Sequence, residues 1–266
     1  MNDSYGLKVL VIPDTQAKAG VPTQHLKWIG EYIVDKRPDI VVHIGDHWDM
    51  PSLSSYDQGK KCYEGRKYKV DIEAGNAAMD VLMKPLLDLN KQQAKTKHKQ
   101  YKPRLIFCIG NHEQRIERAI EKDRMLEETI GYHDFNLKKY GWEVYDFLQP
   151  VEINGVYFAH YFYNPMSGNP YGGMPETRLK NIGHSFVMGH QQGLKHAVMY
   201  ISTGEARRGL IAGSCYLHDE DYKGPQGNHH WRGVVMLHEV MKGDYELMEV
   251  SLDYLRRRSK RRKQNA

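Results

Sequence analysis

The chain has 266 residues, of which 40% are hydrophobic, so it can bury a substantial core within one domain of ordinary size. Its formal charge of +5 arises at the end of the sequence, because seven Arg and Lys side chains in residues 256–263 supply +7 and leave −2 for the rest. Apart from this basic segment, the chain is therefore not strongly basic. No run approaches the roughly 20 apolar residues that a membrane span needs.

The cysteines Cys62, Cys108 and Cys215 are odd in number, lie far apart and show no Cys-x-x-Cys spacing. This pattern argues against a disulfide scaffold and against a structural zinc site. Residues 1–6 lead directly into an apolar strand and carry no signal-peptide pattern. We therefore expect a soluble cytoplasmic protein, located in the host cytoplasm if it is encoded by a phage.

The first half of the chain alternates strand-like and helix-like patterns. Apolar residues at helical spacing predict a helix after Thr23 and another over Val70–Leu89, whereas residues 51–69 lack periodicity and predict an exposed loop. Apolar, largely β-branched runs predict buried strands at Leu7–Ile12, Ile40–Ile44 and Arg104–Ile109. These elements form β-α-β units, which favour parallel pairing.

The second half is predicted to be mostly β, because short apolar runs alternate with glycine-rich loops. The runs are Val156–Ala159, Phe186–Met188, Ala197–Ser202, Val234–Val240 and Tyr245–Val250. The predicted fold class is α/β, with two facing mixed sheets flanked by helices. We assign one domain to residues 1–253 and expect residues 254–266 to form a disordered basic tail.

Polar residues of the kind that bind metals follow the predicted strands. They are Asp14 in Pro-Asp-Thr-Gln, Asp46 and Asp49 in Gly-Asp-His-Trp-Asp, Asn111 and His112 in Gly-Asn-His-Glu, His160 in Phe-Ala-His, and His190 in Val-Met-Gly-His. Each one alone is more often a turn or cap residue. Ligands of open α/β sheets bind beyond the carboxyl ends of the strands, so the ordered set predicts one common site.

These motifs resemble those of the calcineurin-like metallophosphoesterase superfamily, which run Asp-x-His, Gly-Asp-x-x-Asp, Gly-Asn-His-(Asp/Glu), His and Gly-His-x-His. The resemblance spans Asp14 to Gln192, about two thirds of the chain, and implies a four-layer αββα sandwich. It also implies a centre of two divalent metal ions. The implied roles are Asp46 as bridging ligand, Asp14 at the first metal, Asn111, His160 and His190 at the second, and His112 as general acid or phosphate ligand oriented by Asp49.

The sequence departs from these motifs at two positions, because Gln16 and Gln192 stand where the first and last motifs have histidine. Both positions belong to the first metal. An amide oxygen is a harder donor than imidazole, so manganese or magnesium is favoured there over zinc, iron or nickel. Phage-encoded members of the superfamily look similar in carrying glutamine here. A one-metal or relic site is the alternative.

The serine/threonine phosphatases of this superfamily place Arg-Gly after the second motif, whereas here Asp49 is followed by Met50-Pro51. Arg115 is the candidate phosphate ligand in place of that arginine. Its alternative role is that of a solvated helix residue.

Basic residues occur in three segments: Lys60 to Lys69, Lys91 to Arg104, and the tail. Tyrosines are interleaved with the first two, at positions 56, 63, 68 and 101. This combination favours a polyanionic substrate, and we expect a phosphodiesterase acting on DNA, such as an endonuclease or nickase. A phosphomonoesterase or nucleotide hydrolase is one alternative, and a noncatalytic nucleic-acid-binding protein with a relic metal site is another.

Two further loops are candidates for the rim of the site. Residues 161–180 contain three glycines and three prolines directly after His160 and predict a lid. Residues 215–232 contain His218, Asp219, Glu220 and Asp221, which either lie near the metal or form a polar turn. We do not assign these four residues as ligands.

Overall fold

The computed structural model describes residues 6–220 and 223–264. Within them, strands β1 to β13 are Leu7–Ile12, Ile40–His43, Arg104–Cys108, Glu143–Tyr145, Val151–Ile153, Val156–Ala159, Tyr163–Asn164, Asn169–Pro170, Ser185–Met188, Leu194–Tyr200, Ala206–Ala212, Gly233–Met241 and Asp244–Ser251. Helices α1 to α7 are Gln24–Lys36, Tyr68–Lys95, Arg115–Lys122, Leu137–Tyr140, Pro175–Ile182, Gly224–Gly227 and Leu252–Gln264. None of these helices is long and apolar enough to span a membrane.

The strands form two large mixed sheets, which confirms the predicted fold class. The first has the order β13-β12-β1-β2-β3-β4, and β1 to β4 run parallel. The second has the order β10-β11-β9-β6-β5, with β6, β9 and β11 parallel. In the first sheet Ile12 pairs with His43 and His43 with Phe107, so the loops after β1, β2 and β3 leave at one edge.

Three hydrophobic layers hold the sheets and helices together. Alternate residues of β1 point in opposite directions, so Leu10 joins the core beneath α1, α2 and α7 while Val9 joins the core between the sheets. A third core lies between the second sheet and α5, where Leu179 packs with Met188. The resulting order of layers is helix, sheet, sheet, helix.

The predicted strands of the first half are confirmed to within a residue or two, whereas several elements of the second half were not predicted. Strands β4 and β5 have three residues each, too few to show a period. Strand β11 reads Ala-Arg-Arg-Gly-Leu-Ile-Ala, and its arginines and glycine conceal the apolar run. Its place between β9 and β10 depends on pairing with residues distant in sequence.

The prediction of a disordered tail is wrong for residues 254–264, which belong to α7. Leu252 and Leu255 of this helix are buried in the core beneath α1. Arg258 Nη2 lies 2.7 Å from Asp35 Oδ2, and Arg262 Nη1 lies 3.0 Å from Asp35 Oδ1. The many basic residues of this segment obscure the helical spacing of its apolar residues. The segment forms an amphipathic helix, and its apolar side packs on the domain. Residues 265 and 266 lie outside the described residues.

A buried histidine near the start of α1 gives a prediction about acid stability. His25 is 2% exposed, and burial lowers its pKa to about 3. The unfolded chain takes up a proton near the ordinary histidine pKa, but the folded chain does not. Folding stability should therefore fall as the pH drops below about 6.5, by on the order of 1 kcal/mol per pH unit from this residue.

Urea unfolding of wild type and His25→Gln at several pH values will test this expectation. The variant should lose stability less steeply with falling pH. His98→Gln, at an exposed histidine, should keep the wild-type slope. Equal slopes for all three proteins would contradict the prediction.

Candidate metal centre

The loops that follow β2 and β3 are joined by one buried carboxylate. Glu113, which is fully buried, accepts backbone hydrogen bonds from Asp46 (2.9 Å), His47 (2.6 Å), Trp48 (2.9 Å) and Gly110 (2.9 Å). Charge-assisted hydrogen bonds of this kind are stronger than neutral ones. The loops of the second and third motifs are thereby held against each other. In the sequence, Glu113 is marked only as the last residue of the Gly-Asn-His-Glu motif.

Glycines allow the motif loops to approach closely. A Cβ atom on Gly110 would collide with the side chain and the backbone nitrogen of Asp46. A Cβ atom on Gly189 would lie 2.5 Å from Asp14 Oδ1 and 2.7 Å from Ile44 Cγ2. Both positions therefore require glycine for steric reasons.

The four residues assigned to the second metal lie together. Asn111 Oδ1 lies 2.8 Å from His160 Nε2 and 2.7 Å from His190 Nδ1, and Asp46 Oδ2 lies 3.3 Å from His160 Nε2. The donor atoms of Asp46, His160 and His190 all lie within 4.8 Å of one another. His160 Nδ1 donates to the Ile44 carbonyl at 2.9 Å, which directs Nε2 towards this cluster.

The residues assigned to the first metal present oxygen atoms that have no hydrogen-bond partner. Asp14 accepts from the His190 backbone at 3.2 Å, and the Gln16 backbone donates to the Asp46 carbonyl at 2.9 Å. Among the described residues, Asp14 Oδ2, Gln16 Oε1 and Gln192 Oε1 are buried and unpaired. Each buried acceptor without a partner costs about 1–3 kcal/mol. Three such acceptors with no donor fit a cation.

The two donor sets therefore differ in chemistry. Asp14, Gln16 and Gln192 offer only oxygen, which suits hard divalent ions such as magnesium or manganese. Asp46, Asn111, His160 and His190 offer oxygen and imidazole nitrogen, which suit a wider range of ions. Burial, and also the Asp46 charge, raise the pKa of Asp14 to about 7, so its carboxylate is poorly compensated by protein groups alone.

His112 lies beside this cluster and is oriented by Asp49. Its Nδ1 lies 2.7 Å from Asp49 Oδ1, and its backbone nitrogen donates to Asp46 Oδ1 at 2.9 Å. Because a carboxylate can only accept, Nδ1 carries a proton. The other ring nitrogen, Nε2, lies 3.7 Å from Asp46 Oδ2. Burial alone lowers the pKa of His112, but the carboxylates of Asp46 and Asp49 raise it above its ordinary value. The ring is suited to donating a proton.

A buried ion-pair network supports Asp49 from the other side, and sequence analysis did not find it. Lys18 Nζ lies 3.0 Å from Asp49 Oδ2 and 3.1 Å from Glu220 Oε1. Glu220 in turn lies 2.8 Å from His218 Nε2. Lys18 stands in an irregular loop after Asp14, where no spacing marks it. Asp49 thus lies between Lys18 and His112.

His218, Asp219 and Glu220 of the 215–232 segment pair with each other, with Arg232 and with Lys18. His218 pairs with Glu220, and Asp219 Oδ1 lies 2.7 Å from Arg232 Nη2. These contacts favour the polar-turn interpretation for the three residues. Asp221 lies outside the described residues.

Arg115 reaches the loop after the second motif. Its Nη1 donates to the carbonyls of Asp49 at 2.7 Å and Met50 at 3.2 Å. The guanidinium therefore supports the loop that carries Asp49. A contact between Arg115 and phosphate stays a prediction.

The segment expected to be a lid without regular structure is ordered. It contains the small hairpin of β7 and β8 and the start of α5, which begins at Pro175. Tyr161, the first residue after His160, lies with its ring 4.9 Å from the His190 ring. The start of the segment therefore lies beside a residue assigned to the second metal, and its glycines and prolines form turns between short elements.

No protein-family model matches the sequence. The "Gene 54 protein" of Mycobacterium phage L5 is 42% identical over 66 residues, which are 25% of this chain and 26% of that protein. The chain thus matches about a quarter of the length of this curated relative.

Two solved structures overlap most of the chain at low similarity. The E. coli phosphoesterase Yfce covers 92% of this chain and is itself covered fully, at 12% identity and a TM-score of 0.37. A dimetal phosphatase from Danio rerio covers 94% of this chain and is covered to 97%, at 11% identity and a TM-score of 0.39. The assignment of the metal centre depends on the contacts of its own residues.

The four hydrogen bonds accepted by Glu113 predict that a small substitution at this position strongly lowers stability. In Glu113→Gln, one amide NH₂ group would face backbone N–H donors, and the charge that strengthens the four hydrogen bonds would be lost. We expect the free energy of unfolding to fall by about 2–4 kcal/mol and divalent-metal affinity to fall with it. Urea unfolding and calorimetric titration with Mn²⁺ measure these changes. Glu121→Gln, at the exposed end of α3, is the control, and equal behaviour of the two variants would contradict the role of Glu113.

His160 predicts that metal binding depends on pH. Burial alone lowers its pKa, but the Asp46 carboxylate raises it to about 9. Below this value His160 holds a proton that a metal ion must displace from Nε2. Mn²⁺ affinity should therefore increase by up to about tenfold per pH unit between about pH 6 and 8, with release of about one proton.

Calorimetric titration in two buffers of different ionisation enthalpy counts the released protons. An affinity independent of pH, with no proton release, would contradict the assignment of His160 Nε2 as a ligand.

Proposed function

We propose that this protein is a metal-dependent phosphoester hydrolase with a dinuclear metal centre. The observation that carries the proposal is the cluster of Asp46, Asn111, His160 and His190, whose donor atoms lie close together. The buried unpaired oxygens of Asp14, Gln16 and Gln192 support a second metal position. The order of these residues along the chain, which resembles the calcineurin-like motifs, supports the same class.

The residues around the centre have different roles in hydrolysis. When bound, two divalent ions supply Lewis acidity to the phosphoryl oxygens and lower the pKa of water. His112 donates a proton to the departing oxygen, a contribution of about 10²–10⁴-fold for general acids. Asp49 holds the His112 ring in the tautomer with Nδ1 protonated, and Lys18 holds Asp49. Asp46 orients the His112 backbone through its Oδ1 atom.

The substrate we favour is a nucleic acid, cleaved as a phosphodiester by endonuclease or nickase action. The segment 51–69 supports this proposal because it follows Asp49 directly and exposes Lys61, Lys67 and Lys69. Tyr56 in the same segment is 79% exposed and available for stacking. Exposed lysines beside a hydrolytic centre neutralise the phosphates that flank the scissile one.

The other two basic segments lie at the opposite edge of the first sheet. Arg104 begins β3, whose other end leads to Asn111, and its Nη2 pairs with Glu143 at 2.7 Å. Arg258 pairs with Asp35 near the end of α1. The hydroxyl groups of Tyr63, Tyr68 and Tyr101 bind internal acceptors. Of the three basic segments, segment 51–69 is therefore the one that supports a contact with nucleic acid near the site.

This limited basic surface favours a second candidate, a phosphomonoesterase or nucleotide hydrolase. A small substrate needs contacts only at the metal centre, so remote basic segments would be irrelevant to its turnover. The metal centre and His112 would have the same roles in either reaction.

A substrate panel with matched variants separates the candidates. With Mn²⁺, wild type should cleave plasmid DNA and a small phosphodiester reporter, and Asp46→Ala should reduce both rates by at least about 10³-fold. Neutralising Lys61 and Lys67 together (to Gln) should lower plasmid cleavage by about tenfold at moderate salt and leave the reporter rate unchanged. The same change at Lys95 and Lys97, near the far edge of the sheet, should have little effect.

Turnover of phosphomonoesters without cleavage of DNA would favour the second candidate over the first. If DNA bound equally well to wild type and Asp46→Ala and no reporter were hydrolysed, a noncatalytic binding protein would be the correct description.

A further inference from the structure

Helix α5 contains an arginine that is buried without an acidic partner. Arg178 is 2% exposed, and none of the ion pairs between described residues includes it. Its Nε donates to the Gly173 carbonyl at 3.0 Å, and its Nη1 lies 2.9 Å from Met188 Sδ. A neutral carbonyl and a thioether are weak compensation for a guanidinium, because a buried charge is costly unless it is paired.

The position of Arg178 connects it to the metal centre. Met188 ends β9, and Gly189 and the metal ligand His190 follow it directly. The 2.9 Å contact with Met188 Sδ places the guanidinium between α5 and the second sheet, against the last residue of the strand that leads to His190.

The surrounding sequence lacks acids that could neutralise this charge. Residues 161–204 contain one acidic residue, Glu176, which is exposed. The same stretch contains Lys180 and Lys195 besides Arg178. This side of the site is thus suited to an anion.

The other arginines near the metal ligands are already bound to backbone. Arg115 donates to the carbonyls of Asp49 and Met50, and Arg118 Nη2 donates to the Asn111 carbonyl at 3.3 Å. Met50 occupies the place after Asp49 where an arginine could have contacted phosphate. Arg178 differs from both in being almost fully buried, with a neutral carbonyl and a thioether as acceptors.

We propose that Arg178 is an anion-binding residue of the site, which contacts a phosphate group of the substrate. A phosphate oxygen would replace the Gly173 carbonyl or the Met188 sulfur as acceptor, and a charged oxygen is the stronger partner for a guanidinium. Gly173 has φ +89°, a conformation that favours glycine, and it stands next to Gly172 in the turn that covers the guanidinium. The proposal deepens the proposed function and rests on it for the identity of the anion.

Binding of inorganic phosphate to the Mn²⁺-loaded protein tests the inference without requiring turnover. Calorimetry should show phosphate affinity reduced at least about tenfold in Arg178→Met, which keeps side-chain length and removes the charge. Lys180→Met, on the exposed side of the same helix, should bind phosphate as wild type does. In phosphate-free buffer the unfolding temperature of Arg178→Met should be unchanged or higher, because a poorly compensated buried charge has been removed.

Unchanged phosphate affinity in Arg178→Met, or an equal loss in Lys180→Met, would overturn the proposal. If Arg178→Met does not fold, Arg178→Lys replaces it: phosphate binding should weaken about fivefold because the planar fork is lost, and wild-type affinity would overturn the proposal.

Steady-state kinetics with the phosphodiester reporter separate this inference from the proposed function. Arg178→Met should raise KM more than it lowers kcat, because the residue binds substrate and takes no part in proton transfer. If wild type hydrolyses no phosphoester but loses phosphate affinity on the Arg178→Met change, the proposed function fails and the anion-binding role stands.

Discussion

The four backbone hydrogen bonds accepted by Glu113 are the constraint on which the metal centre depends. They hold the loop after β2 against the loop after β3, and this contact sets the position of Asp46 relative to Asn111 and His112. A buried carboxylate is tolerated here because every donor around it is a backbone N–H group that also needs a partner. The motif residues can therefore present their own side chains to the site.

A hydrogen bond across the sandwich helps the second sheet to complete the candidate centre. His160 Nδ1 donates to the carbonyl of Ile44, which belongs to the loop after β2. This bond directs Nε2 towards Asp46, and the alignment of β6 with β9 brings His190 beside it. The two sheets meet mainly through apolar side chains, and at their polar edge His160 and the His190–Asp14 hydrogen bond link them.

The rest of the site contains polar groups that have hydrogen-bond or ion-pair partners and polar groups that have none or only weak ones. Asp49 is paired twice, with His112 and Lys18, so it is a rigid support. Asp14 Oδ2 and the two glutamine oxygens have no partner among the described residues, and Arg178 has only neutral acceptors. Buried acceptors without donors fit a cation, and a buried guanidinium without an acid fits an anion, as the proposed function requires.

Sequence alone determined the parallel β-α-β units and the set of residues that follow their strands, because buried strands have long apolar runs and metal ligands are chemically conspicuous. It did not determine short or polar strands such as β11, nor helix α7, because those elements are stabilised by packing with residues distant in the chain. Only the tertiary structure decided which polar residues are partners: Lys18 with Asp49, Glu113 with two loops, and Arg178 with no acid at all. These pairings depend on distances between loops that no local spacing encodes. The chemistry of each residue is local, whereas its electrostatic environment is set by the whole fold.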